Sequence, residues 1–223
     1  MTERTNRRLP TTNRGRQAAV RHVLLDADGV LQDLPGGWCA AMEPYLGERA
    51  EEFLHETWSD ELPMLAGEGD YLPLLAESLA RYGVRTPVGE VYDAVWKNIV
   101  LIEESLDIVR ALRRNGYGVH LGTNQEKYRG AHMRTALGYD ELFDVSCYSY
   151  DLGVAKPDPA FFTRAADRIG ADPDTILFVD DIAKNITGAR TAGLRAGQWD
   201  FAQGHDTLHA LFDRHGVDAR RTA

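Results

Sequence analysis

Cysteine is scarce: the 223 residues hold two, Cys39 and Cys147, and neither sits in a Cys-x-x-Cys or mixed Cys/His spacing. That excludes a disulfide scaffold and a thiolate zinc site, and a reduced, cytoplasmic compartment is the expectation that follows. Long apolar runs are missing too. None approaches the ~20 residues a membrane-spanning helix needs, so no bilayer partner is expected. Clustered positive charge is also lacking. The net charge is −9, and the excess acid is confined to one segment: Val30 to Ile102 carries 13 acidic and 4 basic residues, the rest of the chain 21 of each. Binding to nucleic acid or an anionic membrane needs grouped Lys and Arg, so neither partner is expected, and the acidic segment reads as a solvated helical surface.

Met1 to Arg21 is rich in Arg, Thr and Asn, has no hydrophobic stretch, and contains Glu3 as its sole acid. Without an apolar h-region it is not a secretory signal. Residues 1–20 are expected to form a disordered tail, with an organelle transit peptide as the alternative. The remaining length fits one core domain with a smaller inserted module, and 43% hydrophobic residues are enough to pack it.

His22 to Asp26 (HVLLD) is an apolar run ending in a carboxylate, which predicts a buried parallel strand. From Pro35 to about Asn98 the pattern is helical. Helices are expected over Glu48–Trp58, over Asp70–Tyr82, with Leu72, Leu75, Leu79 and Tyr82 at three-to-four spacing, and over Glu90–Asn98, with Val91, Tyr92, Val95 and Trp96 on one side. Trp38, Trp58 and Trp96 fall here and are expected to build the core of a small helical module. After Glu103, strands and helices alternate. Strands are predicted at Tyr117–Gly122, Val145–Tyr148, Thr175–Val179 and Arg195–Trp199; helices at Leu106–Arg114, Lys127–Leu137, Pro159–Ile169, Ala183–Ala192 and Asp206–His215. This alternation predicts an α/β protein, a Rossmann-like doubly wound parallel sheet with an inserted α-helical module.

Ligands of such sheets bind beyond the C-terminal ends of the strands. The residues there are Asp26-Ala27-Asp28-Gly29, Thr123-Asn124, Lys156 and Asp180-Asp181. Carboxylates so close repel one another unless a cation offsets them, and a hard ion with oxygen ligands, magnesium, suits a site that also takes phosphate. A carboxylate can then attack a neutralised phosphoryl group, and a second one two residues on can protonate the leaving oxygen. Thr123 and a nearby backbone N–H can hold phosphoryl oxygens, Lys156 can pair with both nucleophile and phosphate, and Asp180 and Asp181 complete a metal site.

Taken together, VLLDADGVL (Val23–Leu31), HLGTN, GVAKPDP and ILFVDDIAKNI resemble the four motifs of the haloacid dehalogenase (HAD) superfamily, in its phosphatase branch with a helical cap inserted after the first strand. The likeness covers about Val20 to Phe212 and is similar in detail to the N-terminal phosphatase domain of soluble epoxide hydrolase and to bacterial sugar-phosphate phosphatases. It implies a HAD-like core over residues 21–33 and 103–223, and a cap over 34–102. It implies Asp26 as nucleophile, Asp28 as general acid/base, and Lys156 as the orienting cation. Thr123 and the Asn124 amide bind phosphate, and Asp26, Asp28, Asp180 and Asp181 hold Mg2+, with Asp181 the direct ligand of the acidic pair. Asn185 steadies the loop. Val30 stands where the family often has threonine, and Asp28 excludes the dehalogenases, whose halide leaves unprotonated. The activity implied is magnesium-dependent hydrolysis of a small phosphorylated metabolite through an aspartyl-phosphate. A phosphomutase shares all four motifs and is the alternative; a receiver-like binding module is shorter and has no helical insert.

Overall fold

A computed structural model describes residues 18–220. Of the expected tail only Ala18–Val20 falls within them, and Val20 is buried in the core; residues 1–17 lie outside. In chain order the strands are β1 (His22–Leu25), β2 (Gln32–Asp33), β3 (Val100–Leu101), β4 (Gly118–Thr123), β5 (Val145–Tyr148), β6 (Ile176–Asp180) and β7 (Arg195–Gln198). The helices are α1 (Gly37–Leu46), α2 (Ala50–Thr57), α3 (Leu62–Leu65), α4 (Tyr71–Arg81), α5 (Val88–Val95), α6 (Glu103–Arg114), α7 (Lys127–Thr135), α8 (Tyr139–Leu142), α9 (Ser149–Leu152), α10 (Pro159–Ile169), α11 (Ala183–Thr191) and α12 (His205–Arg214).

Five strands form a parallel sheet in the order β5-β4-β1-β6-β7. The apolar run in β1 is continuous because both faces of the sheet are covered. Val23 and Leu25 face one side, where Val119, Leu121, Leu177 and Val179 meet α6 and α12 through Leu106, Val109, Leu112, Leu211 and Phe212. Leu24 and Phe178 face the other, against Phe161, Phe162 and Ala165 of α10 and Ile186 and Ala189 of α11. Each such side chain, fully removed from water, contributes about 1.5–3 kcal/mol. The α/β class and doubly wound parallel sheet expected from the sequence are therefore present. The chain winds outward from β1 through β4 to β5, then crosses to β6 and β7, so the switch of direction opens a crevice at the C-terminal end of β1.

Between β1 and β4 the chain leaves the sheet. β2 and β3 pair antiparallel, Gln32 with Leu101 and Asp33 with Val100, and Ile102 N donates to Leu31 O at 2.9 Å. This ribbon closes the two ends of a helical unit, α1–α5, that has its own apolar cluster of Met42, Phe53, Leu75, Leu79, Val91, Tyr92, Val95 and Trp96. Asp70 caps α4 by accepting from Leu72 N at 3.3 Å, and Tyr71 rather than Leu72 joins Leu75 and Leu79 in the buried stripe. Tyr92 and Trp96, one turn apart, stack with ring centroids 5.6 Å apart. Neither strand of the ribbon was expected, because two residues cannot display a two-residue period. The four-residue helices α8 and α9 escape detection for the same reason of length.

Candidate active site

β1 delivers Asp26 to the crevice: its N–H still bonds Val179 O of β6 at 3.0 Å, and the next residues turn away, with Ala27 O accepting from Leu31 N at 2.7 Å and Gln32 N at 3.0 Å. Gly29 makes that turn possible. It sits at φ 75°, and a Cβ there would stand 2.8 Å from the Asp181 carboxylate, so only glycine lets the turn pack against that acid. β6 ends in Asp180, and Asp181 follows.

Lys156 lies between these carboxylates, its Nζ 2.8 Å from Asp26 Oδ1 and 2.6 Å from Asp180 Oδ2. The loop carrying it is fixed by Asn124, whose side chain donates to Lys156 O at 2.9 Å and accepts from Lys156 N at 2.8 Å. Asn185 of α11 donates to both Asp180 oxygens, at 2.9 and 3.0 Å, and Ile182 N adds a bond of 2.8 Å. Burial works to lower the Lys156 pKa, but Asp180 and Asp26 beside it win and hold it above its ordinary value. Burial raises Asp26 well above the carboxylate range, with Lys156 opposing and Asp180 adding to the rise. Burial and then Asp180 push Asp181 up to about 6.

Asp26, Asp180 and Asp181 each offer a carboxylate oxygen within 4.8 Å of the others. When all three are ionised, one ammonium leaves the group two charges short of neutral. An all-oxygen set with that deficit fits a hard divalent cation, and Mg2+ in particular. Asp28, expected among the metal ligands, is not in this group. Its carboxylate is turned to Arg129, which grips it with both nitrogens at 2.6 and 2.8 Å, and Gln32 and Gln125 donate to it at 2.9 and 2.8 Å. Burial opposes ionisation there, but the charge and hydrogen bonds of Arg129 win and bring its pKa down to about 2. Thr123, buried at the end of β4, accepts from Gln125 Nε2 at 3.1 Å, which leaves its own proton free to donate.

Arg129 also reaches the helical unit, donating from Nε to Trp96 O at 2.8 Å. Beside it Glu126 caps α7, taking bonds from Tyr128 N at 2.8 Å and Arg129 N at 2.7 Å, and the hydroxyl of Tyr92 donates to the same carboxylate. Lys127 Nζ and Tyr128 Oη both donate to Asp70 Oδ2, at 3.2 and 3.0 Å. The floor and roof of the crevice are thus cross-linked by polar contacts.

The structure brings Asp26, Lys156, Asp180 and Asp181 together, with Thr123 and Asn124 alongside. Gln32, Gln125, Glu126 and Arg129 were not foreseen. One signal for Arg129 exists: it falls one helical turn past Gln125, in the first turn of the helix that follows the C-terminal end of β4, where the site residues gather.

A family model described as haloacid dehalogenase-like hydrolase matches residues 20–193. The chain is 27% identical to a phosphoglycolate phosphatase of Yersinia pestis over 78% of either chain. It is 24% identical to bifunctional epoxide hydrolase 2 of Sus scrofa over 79% of this chain and 36% of that one. Three of the curated relatives are matched over well under half their own length, at 39%, 36% and 36%. Among solved structures, a HAD family enzyme from Bacteroides thetaiotaomicron in complex with magnesium and inorganic phosphate superimposes with a TM-score of 0.70 at 20% identity, over 85% of this chain and 99% of that one. That likeness is one of fold.

Proposed function

Since the chain belongs to the haloacid dehalogenase-like hydrolases, we propose that it is a magnesium-dependent phosphatase that hydrolyses a small phosphorylated metabolite through an aspartyl-phosphate on Asp26. The observation that supports this most directly is the ammonium of Lys156 bridging Asp26 and Asp180 with Asp181 alongside. Asp26, Asp180 and Asp181 would hold the magnesium, which would supply the positive charge that lets an anionic carboxylate approach a phosphate dianion. Asp180, tied up by Lys156, Asn185 and Ile182 N, orients the site, and Asp181 is the freer ligand.

In this reading Asp26 forms a bond to phosphorus as the ester P–O bond breaks. Thr123 Oγ1 and the Asn124 backbone amide hold the phosphoryl oxygens, and Lys156 keeps Asp26 aimed. The departing oxygen takes a proton from Asp28; in the second step Asp28 takes a proton from the water that attacks phosphorus and frees Asp26 and phosphate. Arg129 holds Asp28 ionised at rest, so its guanidinium must loosen and Asp28 must take up a proton from solvent before it can give one to the leaving oxygen. Arg129 is anchored on Trp96 O, which links that loosening to movement of the helical unit. We therefore read residues 34–102 as a cap hinged at the β2–β3 ribbon, over a core of residues 21–33 and 103–223. Both cysteines are free thiols, and no helix among the described residues is long and apolar enough to cross a membrane; a cytoplasmic enzyme is the corresponding proposal.

The test is release of phosphate from an aryl phosphate with and without magnesium, in the wild type and in Asp26→Asn. Activity that ignores both the metal and the substitution would overturn the reading.

A further inference from the structure

Asp28 is held from two directions. Arg129 grips it while tied to Trp96 O of the helical unit. Gln32 grips it from the core: its Nε2 donates to Asp28 Oδ1 at 2.9 Å, and Tyr139 Oη donates to Gln32 Oε1 at 2.7 Å. The second Nε2 proton faces Met133 Sδ, 3.9 Å away. Gln32, Met133 and Tyr139 are each 0% exposed, so water takes no part. The main chain of Gln32 is fixed to the turn that carries Asp28: its N–H donates to Ala27 O and its carbonyl accepts from Gly29 N, both at 3.0 Å. Tyr139, in α8, stands edge-on to Phe143 with ring centroids 5.8 Å apart, inside the core cluster that holds Val23 and Val119.

Against an ionised Asp28 the carboxamide can sit only one way. Turned over, it would set Oε1 against a carboxylate oxygen, two acceptors at hydrogen-bond distance with no proton between them. The phenol proton on Oε1 therefore commits Nε2 to Asp28. Packing does not call for this arrangement. A buried carboxamide and phenol each need a bonded partner, whereas Met and Phe of similar shape would fill the same space with no polar group to satisfy. What the polar pair adds lies at its far end, on Asp28, the one member open to solvent, with its side chain 42% exposed.

We propose that Gln32, braced by Tyr139, is the positioning residue that keeps Asp28 aimed at the leaving oxygen when Arg129 lets go. This rests on the phosphatase reading and deepens it. Neither Gln32 nor Tyr139 is exposed to a substrate; both act through Asp28. Gln125 also donates to Asp28, but its Oε1 is held by Arg129 Nη1 at 2.9 Å, so it loses its own anchor in the same step. The Gln32 bond is the one whose support comes from the core alone. A carboxyl released from every side chain turns freely about its two torsions, and a misplacement of about 1 Å can cost on the order of 10²-fold in rate. One amide proton kept on Oδ1 leaves Oδ2 to meet the ester oxygen.

The experiment reads kcat/KM, with magnesium, for 4-nitrophenyl, phenyl and 2-hydroxyethyl phosphate, whose leaving groups need a proton more at each step. Gln32→Met should widen the spread between the first and the last by about tenfold. Tyr139→Phe should widen it by a smaller factor, and the double variant should match Gln32→Met alone, because Tyr139 acts only through Gln32. In an Asp28→Asn background Gln32→Met should widen the spread no further. An unchanged spread in Gln32→Met, equal losses on all three esters, losses that add in the double variant, or a loss that persists without Asp28 overturns the proposal. If Gln32→Met melts well below the wild type, Tyr139→Phe, which keeps the ring, decides in its place, and a wild-type spread there overturns the proposal. The wild type separates the two readings: if it hydrolyses these esters, those outcomes sink the brace alone; if it hydrolyses none, the phosphatase reading falls and the brace with it.

Discussion

Two groups of charges share the crevice at the end of β1, and they are assembled differently. Asp26, Lys156, Asp180 and Asp181 come from strand ends and the loops directly behind them, and their partners, Asn124 and Asn185, belong to the same layer. Asp28 and Arg129 depend on the helical unit instead, because Arg129 is anchored on the carbonyl of Trp96. The first group can keep its geometry whatever the helices do. The second changes when they shift. On the proposed reading, with the nucleophile in the first group and the proton donor in the second, the two proton steps would answer to the helical unit while the attack would not.

That contrast breaks first at Asp26. Asp26→Asn should cut phosphate release by at least about 10³ while leaving the unfolding midpoint no lower, since it removes a buried carboxylate. A variant that is inactive because it is unfolded would mean the fixed group is structural. Next comes Lys156→Met, which leaves Asp26 and Asp180 without their cation and should cost about 3–5 kcal/mol in urea unfolding, partly restored by magnesium. The matched control, Lys127→Met, removes an exposed pair and should change stability by under about 1 kcal/mol. Equal losses would erase the distinction between the two settings. The movable group is probed by Asp28→Asn: alkyl phosphates should slow by about 10²-fold or more, and aryl phosphates, whose leaving groups need little protonation, far less. A uniform slowing would place Asp28 with the nucleophile.

The smallest effect lies outside both groups. His120, buried in β4 and hydrogen-bonded to His22 at 3.1 Å, is held down to about 4 by burial and by His22. Between pH ~6.5 and ~4 the unfolded chain therefore binds more protons than the folded one, and stability should fall as pH falls through that window, by an amount on the order of 1 kcal/mol. His120→Gln should flatten the profile there, as followed by thermal melts. If the slope survives, acid sensitivity comes from the crevice.

How much could be read in advance follows the same division. The fixed group is legible because two of its members close apolar runs, Asp26 in VLLD and Asp180 in ILFVD, as the neighbouring Thr123 does in HLGT, while Lys156 is marked by the loop GVAKPDP. Strand ends in a parallel sheet converge by topology, so the linear order is enough. Gln125, Glu126 and Arg129 sit on an unremarkable polar stretch, and their importance arises only when α7 packs under Trp96, a contact that no local period encodes. The β2–β3 ribbon was lost to brevity.

That ribbon has a consequence for how the molecule could change over time. Gln32 and Leu101 are cross-strand partners, so the polypeptide departs and returns at one spot, and the sheet experiences everything from Leu34 to Ile99 as a single closed loop. Closing a loop costs little more as it lengthens. A different helical unit could be grafted onto the same two residues without the open sheet and its helices beneath registering the exchange.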